Sequence, residues 1–381
     1  MKPYLCAMSG IYIHIPFCKK ACTYCDFHFS TTFEKYRTQL IDAICLEIKT
    51  RQTYVPSKQI NTIYFGGGTP SLLNNEELSK ILNQIHTVFT VNSSAEITLE
   101  ANPDDINEQK LNEWQSHGIN RLSIGVQSFR ESDLRWMNRA HKIEDAHNAL
   151  RSAKNKGFEL SLDLMYGIPN LSKSEWIKNI ESALDYHPEH ISAYCLTVEE
   201  NTALYKQVKT GKVALSTNEE EAEQFSILQH TLIKYGYEHY EISNFAKNQK
   251  YAKHNSNYWL GQPYLGLGPS AHSYNVNSRS WNIKNNSRYI QKINNNESVT
   301  ETEVLSQTDI FNESLLIGLR TKWGVNLTQL QEELVIRSEF QAQLNNILSE
   351  NKAYISENHL ILTNEGKAYA DAIAAQLFII D

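Results

Sequence analysis

Ile11-Tyr-Ile-His-Ile-Pro-Phe-Cys18-Lys-Lys-Ala-Cys22-Thr-Tyr-Cys25-Asp-Phe27-His-Phe29 joins an apolar, β-branched run to a cluster of thiols. Ile11–Ile15 has the composition of a strand covered on both faces. Three cysteines, Cys18, Cys22 and Cys25, follow within eight residues. Zinc ribbons and fingers need a second ligand pair further along, and no second close cysteine pair exists in the chain. An iron–sulfur cube normally takes four thiolates. Three would leave one iron open, and an open metal position is where a reactive ligand binds. A structural three-cysteine zinc site in an α/β scaffold is the bland alternative.

Outward from this stretch the chain alternates. Apolar runs at Ile11–Ile15, Thr62–Phe65, Ala95–Glu100, Arg121–Val126, Leu160–Met165 and Ile191–Leu196 predict strands. Amphipathic patterns at Glu34–Thr50, Asn75–Phe89, Glu108–His117, Glu144–Lys156 and Ser174–Tyr186 predict the helices between them. Gly118 and Gly157 are C-terminal stop candidates, and Ser132 or Asn75 could open helices. Repeated βα units predict a parallel sheet curling as a partial (β/α)6 TIM-like barrel. The expected fold class is therefore α/β.

After Asn218 the character changes. A helix over Glu219–Tyr235 precedes Tyr237–Ser287, a stretch dense in Tyr, Trp, Asn, Gly and His and read as loops. Helical patterns then return at Asp309–Leu319, Leu327–Glu333 and Phe340–Glu350. A hairpin over Ala353–Ile355 and Leu360–Leu362 and a last helix over Glu365–Phe378 complete a smaller, mostly helical, winged-helix-like domain. The expected division is a barrel over 1–236, an aromatic, loop-rich connecting region over 237–300, and a C-terminal accessory domain over 301–381.

Composition narrows the function class. The net charge is −7 with 21% charged residues, and no basic cluster stands ready to neutralise phosphates, so no nucleic-acid partner is expected. No apolar run reaches the length of a transmembrane helix, and the N-terminus lacks a secretory signal pattern. Six cysteines in 381 residues make no disulfide framework, which fits a reducing cytoplasm. Cys6, Cys45 and Cys195 read as buried small apolar residues.

Further motifs fall where such a barrel collects its chemistry, at the C-terminal ends of strands. Tyr64-Phe-Gly66-Gly67-Gly68-Thr69-Pro-Ser71 puts three glycines after the second strand, where bare backbone can approach a ligand; a tight turn would use them equally well. Glu100, Gln127 and Asp163 fall on later strands, and Arg139 follows the fourth. One such residue alone would be a structural hydrogen-bonder; four on successive strands predict a polar pocket.

Cys-x3-Cys-x2-Cys after a first strand resembles the signature of the radical S-adenosylmethionine (SAM) superfamily, whose open cluster iron is chelated by SAM. His-Ile-Pro-Phe-Cys, Gly-Gly-Gly-Thr-Pro, Gly-Val-Gln-Ser-Phe, Asn-Arg-Ala-His and Asp-Leu-Met-Tyr-Gly-Ile-Pro together resemble the oxygen-independent coproporphyrinogen III oxidase family over nearly the whole chain. The resemblance implies a [4Fe–4S] cluster on Cys18, Cys22 and Cys25. It implies SAM contacts from Tyr12, Tyr24, Gly67, Gly68, Thr69 and Glu100, with Gln127, Arg139, Asp163 and Thr197 lining the same cavity. In the oxidases some of these latter positions serve a second SAM.

Two departures separate this chain from the oxidases. Their pattern continues Cys-x-Cys after the third cysteine, where this chain has Cys25-Asp26-Phe27, and they carry a long arm before the first cysteine, where this chain has 17 residues. With His254-Asn-Ser-Asn-Tyr258-Trp259, both resemble the HemW branch of haem chaperones. That branch implies haem as ligand, with contact near His254, and transfer to haem-acceptor proteins, membrane-associated ones included. A flavodoxin or ferredoxin is the implied electron donor. On residue chemistry alone His254 and Asn255 would fix a loop, His14 would be a pocket hydrogen-bonder, and His272 would be a weaker ligand candidate than His254. The enzymatic alternative is SAM-dependent oxidative decarboxylation of coproporphyrinogen III to protoporphyrinogen IX.

Overall fold

Six strands in parallel succession carry the first half of the chain, as the apolar runs predict. They are β1 (Ser9–Ile15), β2 (Gln59–Gly67), β3 (Thr90–Ala101), β4 (Arg121–Gln127), β5 (Glu159–Tyr166) and β6 (His190–Cys195). The computed structural model describes residues 9–333 and 338–379; Cys6 lies outside them. Helices Arg37–Thr50, Asn75–Val88, Glu108–Ser116, Ile143–Asn155 and Lys173–Leu184 connect the strands. Ile11, Ile13 and Ile15 are fully buried in the main core. Strand alternation sends the intervening Tyr12 and His14 to the inner face.

Helix ends follow local chemistry. Asn74, one residue before the expected Asn75, caps its helix: its side chain accepts from the Glu77 amide at 2.9 Å while Glu77 accepts from the Asn74 amide at 2.9 Å. Ser132 opens no helix, because it falls inside Glu131–Trp136, which follows Arg130 without a side-chain cap. Gly118 and Gly157 do stop their helices, with φ of 81° and 82° that side chains avoid. Helix Arg37–Thr50 starts three residues later than expected; the Arg37 guanidinium is held by Glu77 and the Leu72 carbonyl.

The stretch expected to be loops builds strands. β7 (Glu238–Glu241), β8 (Asn244–Ala246), β9 (Tyr264–Leu267), β10 (His272–Tyr274) and β11 (Ser278–Asn282), with β12 (Thr300–Val304), all join the same sheet. Its order is β12-β11-β10-β9-β1-β2-β3-β4-β5-β6-β8-β7, with β12 and β7 as terminal strands that do not pair with each other, so the barrel is partial. These strands are three to five residues long and polar on one face, too short for periodicity to announce them. Residues from Ile11 to Val299 share one core, and a second runs from Phe311 to Ile379.

That second core packs helices Gln307–Leu319, Leu327–Glu333, Ser338–Ser349 and Ala370–Leu377 with a three-stranded antiparallel sheet of β13 (Val325–Asn326), β14 (Ala353–Ser356) and β15 (His359–Leu362), the winged-helix-like arrangement expected. The last helix begins as a short 3-10 turn, Gly366–Tyr369. This unit covers the β7 edge. Ile242 donates to the Arg320 carbonyl at 3.1 Å, Lys322 to the Tyr240 carbonyl at 2.9 Å, and the buried Lys367 ammonium to the His239 carbonyl at 2.9 Å. An unpaired strand edge is thereby removed from solvent.

Candidate functional site

A cavity of about 450 Å³ opens at the C-terminal ends of the parallel strands. The cysteine loop forms one wall and the inward positions of β2 to β6 form the rest. Those positions repeat every second residue: Ser123, Gly125 and Gln127 on β4, Ser161, Asp163 and Met165 on β5, His190, Ser192 and Tyr194 on β6. Cys18, Cys22, Cys25, Tyr24, Gly67, Gly68, Thr69, Glu100, Gln127, Arg139, Asp163 and Thr197 all line this cavity, so the sequence-predicted residues converge with two exceptions.

The exceptions are Tyr12 and His254. Tyr12 lies behind the wall, its hydroxyl 3.2 Å from His14 Nδ1 and its ring stacked on Tyr64 and His254. His254 is 1% exposed. Its Nδ1 is 2.8 Å from Thr62 Oγ1 and its Nε2 2.7 Å from the Tyr258 hydroxyl. Both ring nitrogens of His254, near which haem contact is expected, are thus engaged within the chain. Helix Lys253–Trp259 plugs the barrel floor, its first amides at Lys253 and His254 donating to Glu96 at 2.9 Å each. Asn255, beside it, does reach the cavity.

The three thiols share the wall with a cation. Arg139 Nη1 is 3.6 Å from Cys22 Sγ, while its Nη2 donates at 2.7 Å to Asn102 Oδ1 and at 2.7 Å to the Gly125 carbonyl. Arg139 Nε is buried without a partner. Thr69 Oγ1 lies 3.4 Å from Cys18 Sγ. Burial pushes the Cys18 thiol up to about 11 and the Cys25 thiol up to about 12. As free thiols they stay protonated at neutral pH, and a bound cationic metal is what would displace the protons. Among the described residues no group of three or more His, Cys, Asp or Glu could hold a single metal ion.

Two carboxyls face the thiols from the strands. Glu100 accepts from the Tyr64 hydroxyl at 2.7 Å and from the Gly67 amide at 3.2 Å. Burial raises it to about 7 against those two bonds, which lower it. Asp163 accepts from Ser123 at 3.2 Å and is raised to about 7 by burial and then by Glu100. Gln127 accepts from the Tyr194 hydroxyl at 2.5 Å. Its φ of 67° is unusual for a residue with a side chain, and such conformations gather at functional sites.

The glycines serve the chain's own packing as well as the cavity. A Cβ on Gly67 would meet the His14 ring at 2.6 Å, and one on Gly68 would meet the Phe17 carbonyl oxygen at 2.7 Å. Ser123, Asn102, Tyr194 and Lys20 line the cavity without having been singled out from sequence; the period of two along β4 and β6 is the signal that could have found the strand residues. Cys195, expected to be a buried apolar thiol, also lines the cavity and is half-buried, whereas Cys45 is buried. Phe27 stands at the rim, 67% exposed.

The radical SAM superfamily profile matches residues 12–183. The chain is 33% identical over 371 residues to "Heme chaperone HemW" of Bacillus subtilis, covering 96% of this chain and 98% of the relative. It is 35% identical over 332 residues to "Heme chaperone HemW" of Synechocystis, covering 84% of this chain and 80% of the relative. Among solved structures, the coproporphyrinogen III oxidase HemN of Escherichia coli shares the fold, with a TM-score of 0.84 at 22% identity over 98% of this chain and 90% of that one.

Proposed function

The chain belongs to the radical SAM superfamily and, within it, to the HemW family, and from that membership we propose that it is a haem chaperone, binding haem and handing it to acceptor proteins. The observation that carries the reading is likeness along almost the full length of both chains to relatives bearing that name. Phe27, where the oxidase pattern has a fourth cysteine, points the same way.

The family implies a [4Fe–4S] cluster and SAM, and the cavity fits both. Cys18, Cys22 and Cys25 would hold the cluster, the three thiols leaving one iron without a protein ligand. Arg139, with its Nε unpartnered, supplies a fixed positive charge beside the sulfurs. When bound, cluster and SAM supply reductive cleavage of a sulfonium. Gly67, Gly68, Thr69 and Tyr24 form the wall next to the thiols. Glu100 presents an acceptor already oriented by Tyr64 and Gly67, and Asp163, Ser123 and Gln127 offer partners for hydroxyls. Tyr12 and His254 support this wall from behind. A flavodoxin or ferredoxin is the proposed electron donor and the cytoplasm the proposed compartment; among the described residues no helix is long and apolar enough to cross a membrane.

Haem titration of the cluster-loaded protein, followed by mixing with an apo haem protein, tests the reading. Stoichiometric binding and transfer to the apo protein is the expected result. Failure to bind haem under reducing conditions overturns it.

A further inference from the structure

Resting on the cluster and electron-donor reading above, we propose that the donor, an acidic one-electron carrier protein, docks on the outer side of the cysteine loop, over a notch between helices Glu131–Trp136 and Ala203–Lys209. The notch measures about 500 Å³, and Trp136, Asn170, Gln207 and Lys212 are among its walls. It lies behind the thiols, not over the cavity that they line. Thr23, between Cys22 and Cys25, fixes that relation. Its amide donates to the Met137 carbonyl at 3.1 Å and its hydroxyl to the Trp136 carbonyl at 3.4 Å, while its own carbonyl accepts from the Leu204 amide at 2.8 Å. Asn138 Nδ2 donates to the Ala21 carbonyl at 2.8 Å and holds the same loop from the same side.

This contact gives the electron a short way in. Thr23 alone separates Cys22 from the backbone that walls the notch. From Trp136 the route crosses one hydrogen bond and the Thr23–Cys22 peptide to a sulfur. One electron leaves the carrier's reduced cofactor, which is oxidised by one electron, and the thiolate-held iron is reduced by one; no bond forms or breaks. Trp136 is half-buried, and an aromatic side chain of this kind is a common anchor at the centre of a protein interface.

Charge sets the sign of the partner. Arg135, Lys206, Lys209 and Lys212 are exposed around the notch, and among the described residues none of the four forms an ion pair. Arg135 Nε donates to the Glu131 carbonyl at 3.3 Å, and the Lys209 ammonium lies over the Tyr205 ring. The Lys212 amide donates to the Gln207 carbonyl at 2.9 Å, which folds the chain back and adds a fourth cation to the group. A net charge of −7 repels an acidic protein in general, so a local group of unpaired cations gives it one preferred orientation. The cavity mouth offers no equal. Of the exposed charged residues lining it, Asp26 and Glu199 stand against Lys20 alone, which leaves the mouth to the ligands.

Stopped-flow reduction of the cluster-loaded protein by reduced flavodoxin at low salt tests the docking face. Lys209→Glu combined with Lys212→Glu is compared with wild type and with a distant control, Lys49→Glu combined with Lys234→Glu, in the last turns of helices Arg37–Thr50 and Asn218–Lys234. The notch variant should be reduced at least about tenfold more slowly, within the range that electrostatic steering contributes, and should lose most of the wild type's slowing by salt. Reduction by photoreduced deazaflavin, which needs no docking, should match wild type in both variants, as should iron, sulfide and SAM binding. Carbodiimide coupling, which joins an ammonium to a carboxylate, should link flavodoxin to Lys206, Lys209 or Lys212, in cluster-free protein too. A notch variant reduced at the wild-type rate, equal slowing in the distant control, or crosslinks confined to other lysines overturns the docking face and leaves the donor reading standing. Wild-type protein reduced by deazaflavin but by neither flavodoxin nor ferredoxin overturns both.

Discussion

The Tyr64 hydroxyl donates to Glu100 Oε1 at 2.7 Å from the neighbouring strand, while the Gly67 amide holds Oε2 at 3.2 Å. A buried carboxyl is thus aimed into the cavity by two fixed donors, and burial still leaves it near neutrality at about 7. Its ionised form, which accepts donors on both oxygens, gains population as pH rises through that value. SAM affinity should therefore increase from about pH 6 to pH 7.5. Removing the Tyr64 hydroxyl removes an influence that lowers Glu100, so Tyr64→Phe should move the midpoint upward. Glu100→Gln should weaken SAM by about tenfold or more, since a hydrogen bond to a charged group contributes about 1.5–3 kcal/mol. Calorimetric titration of cluster-loaded protein across this pH range measures all three effects.

Each of Cys18→Ser, Cys22→Ser and Cys25→Ser should lose most of the iron and sulfide retained after reconstitution. Cys45→Ser should keep both, because Cys45 is buried in the main core away from the cavity. Cys195→Ser should also keep both: its sulfur lines the cavity at the end of β6, beyond the cysteine loop. Iron and acid-labile sulfide analysis distinguishes these outcomes, and equal loss in all five variants would contradict the ligand assignment.

Gly68→Ala tests whether the glycine run is required by packing. The added Cβ would meet backbone oxygens of Phe17 at 2.7 Å and Ile15 at 2.9 Å, and backbone cannot swing aside as a side chain can. A loss of about 1–3 kcal/mol is expected for this overpacking. Urea unfolding midpoints of the cluster-free protein would show it, and a wild-type midpoint would contradict the close approach.

Acid should destabilise the protein through His254. Burial lowers it to about 3, so between pH 6.5 and that value the unfolded chain binds a proton that the folded one refuses. Stability then falls as pH drops through this window, by about 1.4 kcal/mol per unit for one such group. His254→Gln should flatten that slope while lowering stability at pH 7 by about 1–3 kcal/mol, through disturbed bonds to Thr62 and Tyr258. Denaturation midpoints at pH 7 and pH 5 give the comparison.

The parallel strands and the cysteine loop were legible because long apolar runs and a spaced thiol trio are strong, local signals. Glu100, Gln127, Asp163 and Arg139 were legible as a pocket because strand ends gather in a barrel. The strands from Glu238 to Asn282 were not. Each spans only a few residues, and their partners lie far away in sequence: Arg51 and Glu47 bond Ser273, Ser280 and Asn282 of β10 and β11, while β8 pairs with β6. The role of His254 was hidden for a similar reason. Its partners Thr62 and Glu96 belong to strands that the chain reaches long before it, and a histidine among aromatics looks the same on a barrel floor as beside a porphyrin.

An anaerobic assay of the reconstituted protein with coproporphyrinogen III, SAM and a reductant, run beside a haem titration of the same preparation, tests the central claim most directly. The account predicts one haem bound per chain and no protoporphyrinogen IX. Turnover of coproporphyrinogen would contradict it, and would mean that Phe27 in place of a fourth cysteine does not separate the chaperones from the oxidases.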